Sequence, residues 1–226
     1  MIEIIQTYWV YFLVGQYPNG PLGGLALTVL LAALALLLAL PLGIVLGLAR
    51  ISPFRVIRWP VTVIVYVVRG VPLLMVIFWA YFFLPSVTGH KTDQFSTMLI
   101  ALVLFDGVYL AEIVRAGILG IPKGQFESAR TLGLGYWRTM QLVILPQALR
   151  VTVPPLISQT LNLWMNTSIA TVIGVAEMMY QAAKVESTSF RSVEAFAFAT
   201  SAYLVVSLVI TGLGAWYHHR YPVRTA

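Results

Sequence analysis

Residues 24–49 read GLALTVLLAALALLLALPLGIVLGLA, a stretch that contains no charged side chain. A helix needs about 20 mostly apolar residues to cross the hydrocarbon core of a bilayer, and this stretch is longer than that. A helix that is apolar around its whole circumference is typical of a membrane span rather than of a protein surface. The stretch therefore predicts a transmembrane helix and sets the fold class of the chain around it.

The rest of the chain has the same character. Of its 226 residues 59% are hydrophobic and 10% are charged, whereas soluble domains carry about a quarter charged residues. Further apolar stretches predict spans near 60–84, 96–119, 143–164 and 194–217. We predict an all-α polytopic membrane protein with about five transmembrane helices, forming a single domain over residues 1–226.

The basic residues predict the orientation of these spans. If the loop after the first span faces the cytoplasm, ten basic residues lie inside and three lie outside, with Arg69 left within a span. Lysine and arginine concentrate in cytoplasmic loops, so the N-terminus is predicted outside and the C-terminus in the cytoplasm. The ten are Arg50, Arg55, Arg58, Arg115, Lys123, Arg130, Arg138, Arg150, Arg220 and Arg224.

Several kinds of chemistry have no residues to support them. The chain has no cysteine, and no G-x-x-x-x-G-K-[ST] loop that would cradle the phosphates of ATP. None of its three histidines falls within a predicted span. The sequence therefore predicts a protein that is not an enzyme, with no cofactor or metal of its own and no nucleic-acid partner.

A polar stretch interrupts the apolar ones on the predicted cytoplasmic side. Residues 125–147 read QFESARTLGLGYWRTMQLVILPQ, in which good helix formers are followed by Gly133 and Gly135, and Pro146 opens the next span. The residues alone leave two interpretations open. The stretch is either an amphipathic connector on the bilayer surface or a helix whose glycines let another protein approach closely.

The same stretch carries a resemblance to a known family. Glu127, Ser128, Ala129 and Gly133, followed by Leu145-Pro146, resemble the cytoplasmic signature of ABC-importer permeases: Glu-Ala-Ala, a glycine, then Ile-x-Leu-Pro. The resemblance implies the type I ABC-importer permease fold. It also implies that the loop at 120–142 holds a coupling helix, whose signature residues dock in a cleft of an ATPase subunit.

Further segments resemble the branch of this family that takes up polar amino acids. They are RGVPLLMVIFWAYFFLP (69–85), YLAEIVRAGILGIPKGQFESARTLG (109–133), VILPQALRVTVPPL (143–156) and NTSIATVIGVAEM (166–178). The resemblance implies a bacterial inner-membrane subunit that pairs with a second permease, identical or sister, among membrane lipid. ATPase subunits that bind ATP and an external amino-acid-binding protein are the implied partners. The segment at 69–85 looks most like glutamate/aspartate permeases.

Ionisable residues within spans are candidates for a substrate path, because placing them there is costly. Arg69 either snorkels to the interface, or faces the substrate path, or pairs with Asp106 or Glu112. The spacing of Asp106, Tyr109 and Glu112 predicts one broad helical face. Glu112 also has a simpler interpretation, an ion pair with Arg115, while Asp106 is expected to line the path.

Asn166, Thr167 and Ser168 lie where the fourth span is predicted to break. We expect the two hydroxyls to cap a new helix that begins at Ile169. Its free backbone N–H groups would then suit the carboxylate of an amino acid. Capping without any ligand is the alternative.

Two other classes of function compete with a subunit of an ATP-driven importer. An ion-coupled carrier would use a carboxylate such as Asp106, but no inverted repeat is visible in the chain. An intramembrane protease would need a serine–histidine or paired-aspartate arrangement, which the predicted spans do not contain. The sequence therefore favours the importer subunit.

Overall fold

The computed structural model describes residues 2–89 and 93–220, and nearly all of them are helical. Residues 90–92 and Arg224, which is one of the ten predicted cytoplasmic basic residues, lie outside the described residues. The α-helices, in chain order, are α1 (Ile2–Val14), α2 (Gly24–Arg50), α3 (Arg55–Arg69), α4 (Leu73–Phe78), α5 (Leu84–Thr88), α6 (Gln94–Leu119), α7 (Lys123–Thr131), α8 (Tyr136–Thr139), α9 (Leu145–Asn166), α10 (Met178–Ser189) and α11 (Ser192–Arg220).

Four helical segments of the described chain are long and apolar enough to cross a membrane. They are Gly24–Arg50, Gln94–Leu119, Tyr136–Ile173 and Ser192–Tyr217. A bent pair, Arg55–Arg69 with Leu73–Val87, makes a fifth if it is counted as one span. The predicted all-α membrane fold is therefore confirmed.

The predicted second span differs from the expected straight helix. Its two halves meet at 104°, and the break lies at Gly70–Pro72. Pro72 offers no backbone N–H and disfavours a helical conformation at the residue before it, so α3 ends and α4 begins anew at Leu73. The hydropathy pattern predicted one continuous span because both halves are apolar.

The core is built on close contact between α2 and α6. Gly43 is buried in α2, and a Cβ atom placed there would lie 2.5 Å from Cβ of Leu110 and 3.1 Å from the carbonyl oxygen of Gly107. Small residues at such crossings let two spans approach closely, which is what association within a bilayer requires. Apolar side chains of α4 and α9 complete this core around Leu31, Ile77, Met98 and Leu163.

The fourth span is longer than predicted at both ends. It begins in α8, passes through a π-helical turn at Met140–Ile144 into α9, and continues as a 3₁₀ helix over Thr167–Ile173. Pro146 lies in the first turn of α9, as expected.

A buried carboxylate joins the elements that follow. Glu177 caps α10 by accepting hydrogen bonds from the backbone N–H groups of Met179 and Tyr180, both at 2.9 Å. The Tyr203 hydroxyl on α11 donates to the same carboxylate at 2.9 Å. Burial raises the pKa of Glu177 to about 7. The side chain thus connects α10 to α11 at the end of the bundle where α2 begins.

Candidate functional site

The predicted cytoplasmic helix exists as α7 and is anchored to the spans. Phe126 packs into an apolar cluster with Ile118 of α6 and Ile144. The side-chain amide of Gln147 on α9 donates a 3.3 Å hydrogen bond to that of Gln125. Through these contacts α7 is attached to both α6 and α9.

Gly133 ends α7 as predicted. Its φ of +74° lies in the left-handed region, which glycine adopts without the steric cost that a side chain adds. In this conformation the N–H of Leu134 reaches back to the carbonyl oxygen of Ala129 at 3.0 Å, and the N–H of Gly133 to that of Arg130 at 2.9 Å. These bonds satisfy carbonyls that the end of a helix leaves unpaired.

The six residues expected to couple to an ATPase subunit do not share one surface. Glu127, Ser128, Gly133 and Pro146 are exposed. Ala129 is only 2% exposed, so its side chain is not available to another protein. Leu145 is partly buried and packs with Ile144 and its neighbours.

The exposed face of α7 continues into an apolar side chain that sequence reasoning missed. Leu132 is 80% exposed and directly precedes Gly133. Nearby, Tyr136, Trp137 and Leu142 are also exposed. The sequence signal was an apolar residue directly before the glycine in a largely polar stretch.

Glu112 is the centre of an arginine cluster. Its carboxylate accepts from Arg115 at 2.6 Å, pairs with Arg50, and lies 3.6 Å from Arg69. The predicted pair with Arg115 is present, and Arg69 reaches Glu112 rather than Asp106. Arg69 also lies over the ring of Tyr109, with its guanidinium carbon 5.3 Å from the ring centre.

Asp106 points elsewhere. It is fully buried, and its Oδ1 accepts a 2.6 Å hydrogen bond from the side-chain amide of Gln159 on α9. Its Oδ2 is buried with no hydrogen-bond partner among the described residues. The broad face predicted for Asp106, Tyr109 and Glu112 spans about 120°, because six residues turn a helix by about 600°. Its two ends have different partners, Gln159 for Asp106 and the arginines for Glu112.

The expected cap at the helix break is also absent. The hydroxyl of Thr167 donates to the carbonyl oxygen of Trp164 at 2.6 Å, and that of Ser168 to Met165 at 2.8 Å. Both hydroxyls therefore bond backward along a helix that does not stop at Asn166 but tightens into the 3₁₀ turn. The chain leaves this helix at Gly174, and no new N-terminus forms at Ile169.

Long apolar spans that enclose a few buried polar groups, with one anchored helix set outside them, define a polytopic membrane protein. The family model described as "Binding-protein-dependent transport system inner membrane component" matches residues 39–222. The chain belongs to this family, as a membrane-spanning permease subunit and not an enzyme.

Characterised relatives narrow the family to amino-acid ABC transporter permeases. The inner membrane amino-acid ABC transporter permease protein YhdY of Escherichia coli (strain K12) is 38% identical over 76% of this chain, which spans only 47% of YhdY. The probable glutamine permease GlnM of Bacillus subtilis (strain 168) is 36% identical over 81% of this chain and 85% of its own. Relatives named for arginine (ArtQ) and glutamate/aspartate (GltK) are 36% and 35% identical.

Solved structures agree on the fold. The structure described as "Crystal structure of an amino acid ABC transporter with histidines" contains a chain that superposes with a TM-score of 0.83 at 30% identity, covering 87% of this chain and 92% of that one. The MetNI methionine ABC transporter gives a TM-score of 0.71 at 18% identity, covering 87% and 91%. The predicted type I ABC-importer permease fold is confirmed.

Proposed function

We propose that this chain is the permease subunit of an ATP-driven importer whose cargo is an acidic amino acid, glutamate or aspartate. The arginine cluster around Glu112 supports an anionic cargo, because the side chain of Arg69 stays 36% exposed although it lies beside Glu112. Asn166, a neutral residue at the predicted helix break, adds no negative charge that would favour a cationic amino acid. GltK, a relative named for glutamate/aspartate import, is of comparable similarity to this chain.

Coupling to ATP is proposed to run through α7. One observation carries this: the exposed Leu132 and the left-handed Gly133 lie at the end of a short helix that is anchored to α6 and α9. A separate ATPase subunit, which binds the ATP, would receive this helix in a cleft. Closure of that subunit would then move α6 and α9 as rigid bodies and expose the path alternately to each side.

The remaining assembly follows from this role. A second permease, identical or sister, completes the path, and an external binding protein delivers the amino acid. The N-terminus lies outside and the C-terminus lies in the cytoplasm, as the basic residues favour. Residues proposed to line the path are Arg69, Tyr109, Glu112, Asn166 and Ser168; Asp106 and Thr167 are fully buried and would support its wall.

Co-purification from the native host tests the proposal. The tagged chain is extracted gently, its partners are identified, and ATPase activity is assayed with a panel of amino acids and the binding protein. An ATPase subunit in stoichiometric amount, stimulated by glutamate or aspartate, is the expected result. A chain that purifies alone and transports along an ion gradient would overturn ATP coupling, and stimulation by arginine or glutamine only would overturn the cargo.

A further inference from the structure

A basic cavity of about 580 Å³ opens at the end of the bundle that carries α7. It lies between the last residue of α2, the first three turns of α3 and the end of α6. Ile51, directly after the cavity residue Arg50, packs in the same cluster as Phe126 of α7, which shows that the cavity and α7 lie at the same end of the bundle. The cavity is lined by Arg50, Arg55, Arg58, Trp59, Tyr66 and Arg115.

The arginines of this cavity have more positive charge than their surroundings neutralise. Arg50 and Arg115 share the single carboxylate of Glu112, which Arg69 also approaches. Arg55 and Arg58 are exposed, and within residues 2–89 and 93–220 neither makes an ion pair. The Nε atom of Arg50 is buried and donates no hydrogen bond in the described part of the chain.

A buried donor without a partner costs free energy, and guanidinium groups bind phosphate oxygens through several hydrogen bonds at once. An anion with several oxygens would satisfy Arg50 and engage Arg55 and Arg58 together. The cavity is therefore suited to a phosphate group.

The surroundings of the cavity are those of a membrane interface. Arg55 and Arg58 lie one turn apart and turn the same side of α3 to the cavity, next to Trp59, which is 71% exposed. Val56, beside the basic side, is 86% exposed, and Ile57 and Ile64, on the opposite side of α3, are exposed as well. A helix with basic residues on one side and apolar residues on the other lies in the interface with its arginines at the headgroups.

We propose that this cavity binds the phosphate headgroup of an anionic phospholipid. The arginines would hold the headgroup oxygens, and Trp59 and Val56 would contact the glycerol and the first carbons of the acyl chains. Free inorganic phosphate would use the arginines but leave these exposed apolar side chains uncovered. Basic cavities beside transmembrane helices are known headgroup sites, since each arginine near the surface adds attraction to anionic lipid.

The test uses the full chain, purified with the subunits that accompany it, in nanodiscs of phosphatidylcholine alone or mixed with phosphatidylglycerol. Native mass spectrometry after detergent release counts the lipids that stay bound. We expect selective retention of phosphatidylglycerol, which R55Q/R58Q lowers by roughly ten-fold or more. The matched control is R138Q on α8, which removes an exposed arginine that does not line the cavity, and it should retain the lipid normally.

Equal retention of phosphatidylcholine and phosphatidylglycerol by the unaltered protein would overturn the proposal, whether or not the variants fold. So would an equal loss in R138Q and R55Q/R58Q. Displacement of the lipid by inorganic phosphate would assign the cavity to a free anion, and displacement by glutamate would assign it to the cargo. Either displacement would reject the lipid site.

Discussion

The side-chain amide of Gln159 donates a 2.6 Å hydrogen bond to Asp106, and this bond joins α9 to α6 where both residues are buried. The other oxygen of the carboxylate has no partner among the described residues. A buried polar atom without a partner costs free energy. The packing of α9 against α6 must therefore offset the cost of this unpaired oxygen.

The pair can be tested by a double-mutant cycle. Replacing Gln159 by leucine removes the donor and leaves Asp106 without a described partner, so we expect the free energy of unfolding to fall by about 2–3 kcal/mol. Replacing Asp106 by leucine removes the acceptor at similar size and leaves the Gln159 amide without this bond. The double variant D106L/Q159L should be more stable than the sum of the two single effects predicts. Thermal unfolding in detergent, followed by tryptophan fluorescence, gives the three values.

One outcome of this cycle would contradict the predicted coupling. Single effects that add within about 0.5 kcal/mol would mean that the two side chains are not coupled. In that case the hydrogen bond would contribute nothing to the contact between α6 and α9.

Two substitutions at Gly133 can distinguish a role in docking from a role in the local conformation at the end of α7. Arginine and asparagine at this position both add a side chain into open space, since no atom lies within 4 Å of the added Cβ. Asparagine tolerates the left-handed conformation better. We expect both variants to reach the membrane, with uptake retained by G133N and reduced roughly ten-fold or more by G133R, a loss of about 1.4 kcal/mol or more at a docking surface.

Uptake of radiolabelled amino acid and the amount of co-purified ATPase subunit are the measurements. Normal uptake by G133R would reject docking at Gly133. An equal decrease in both variants, accompanied by loss of the protein from the membrane, would show that the residue acts only through the end of α7.

Much of the fold could be predicted from sequence because the bilayer imposes one strong requirement. The uncharged stretch at 24–49 forms α2, and α7 ends just before Gly133, where the glycine predicted an interruption. The break in the second span also had a local signal, Gly70-Val71-Pro72, but averaging hydropathy over a window hides three residues.

The polar contacts were less predictable, for physical reasons. Gln159 is 53 residues from Asp106, and only the packing of α9 on α6 brings their side chains together. Arg50 appeared to be a loop residue, yet it turns inward to Glu112 and is buried. Threonine and serine are typical caps, but the helix continues through Thr167 and Ser168. Their hydroxyls therefore donate to backbone carbonyl oxygens of the preceding turn instead of capping a new helix.

The close approach of α2 and α6 gives a matched pair of glycine substitutions. In G43A the new methyl group would lie 2.5 Å from Cβ of Leu110, so something must shift. We expect a loss of about 1–3 kcal/mol, the usual range for overpacking. Gly212 of α11 has no atom within 4 Å of an added Cβ. G212A should therefore leave the melting temperature unchanged or raise it, because alanine favours a helix by up to about 1 kcal/mol.

Both melting temperatures are measured on protein purified in the same detergent. Equal stability of G43A and G212A would show that α2 and α6 can separate at Gly43 without cost. A lower stability of G212A would instead indicate that this side of α11 is covered in solution.

The raised pKa of Glu177 predicts how the free energy of unfolding depends on pH. Its pKa is about 7 in the folded protein, above the ordinary value of 4.5, so the folded state holds a proton that the unfolded state has released between these two values. Stability is therefore full below about pH 4.5, falls as the pH rises to about 7, and is level above that. The expected decrease is on the order of 3 kcal/mol, since one pKa unit corresponds to about 1.4 kcal/mol.

The variant E177Q isolates this contribution. Glutamine loses part of the hydrogen bonding to Met179 and Tyr203, so its absolute melting temperature can differ from that of the unaltered protein. The informative quantity is the change in melting temperature between pH 5 and pH 7.5, which should be smaller in E177Q because it has no carboxyl group to ionise at this position. Parallel curves for the two proteins would assign the pH dependence to other groups. They would also show that Glu177 is not protonated in the folded state at pH 5.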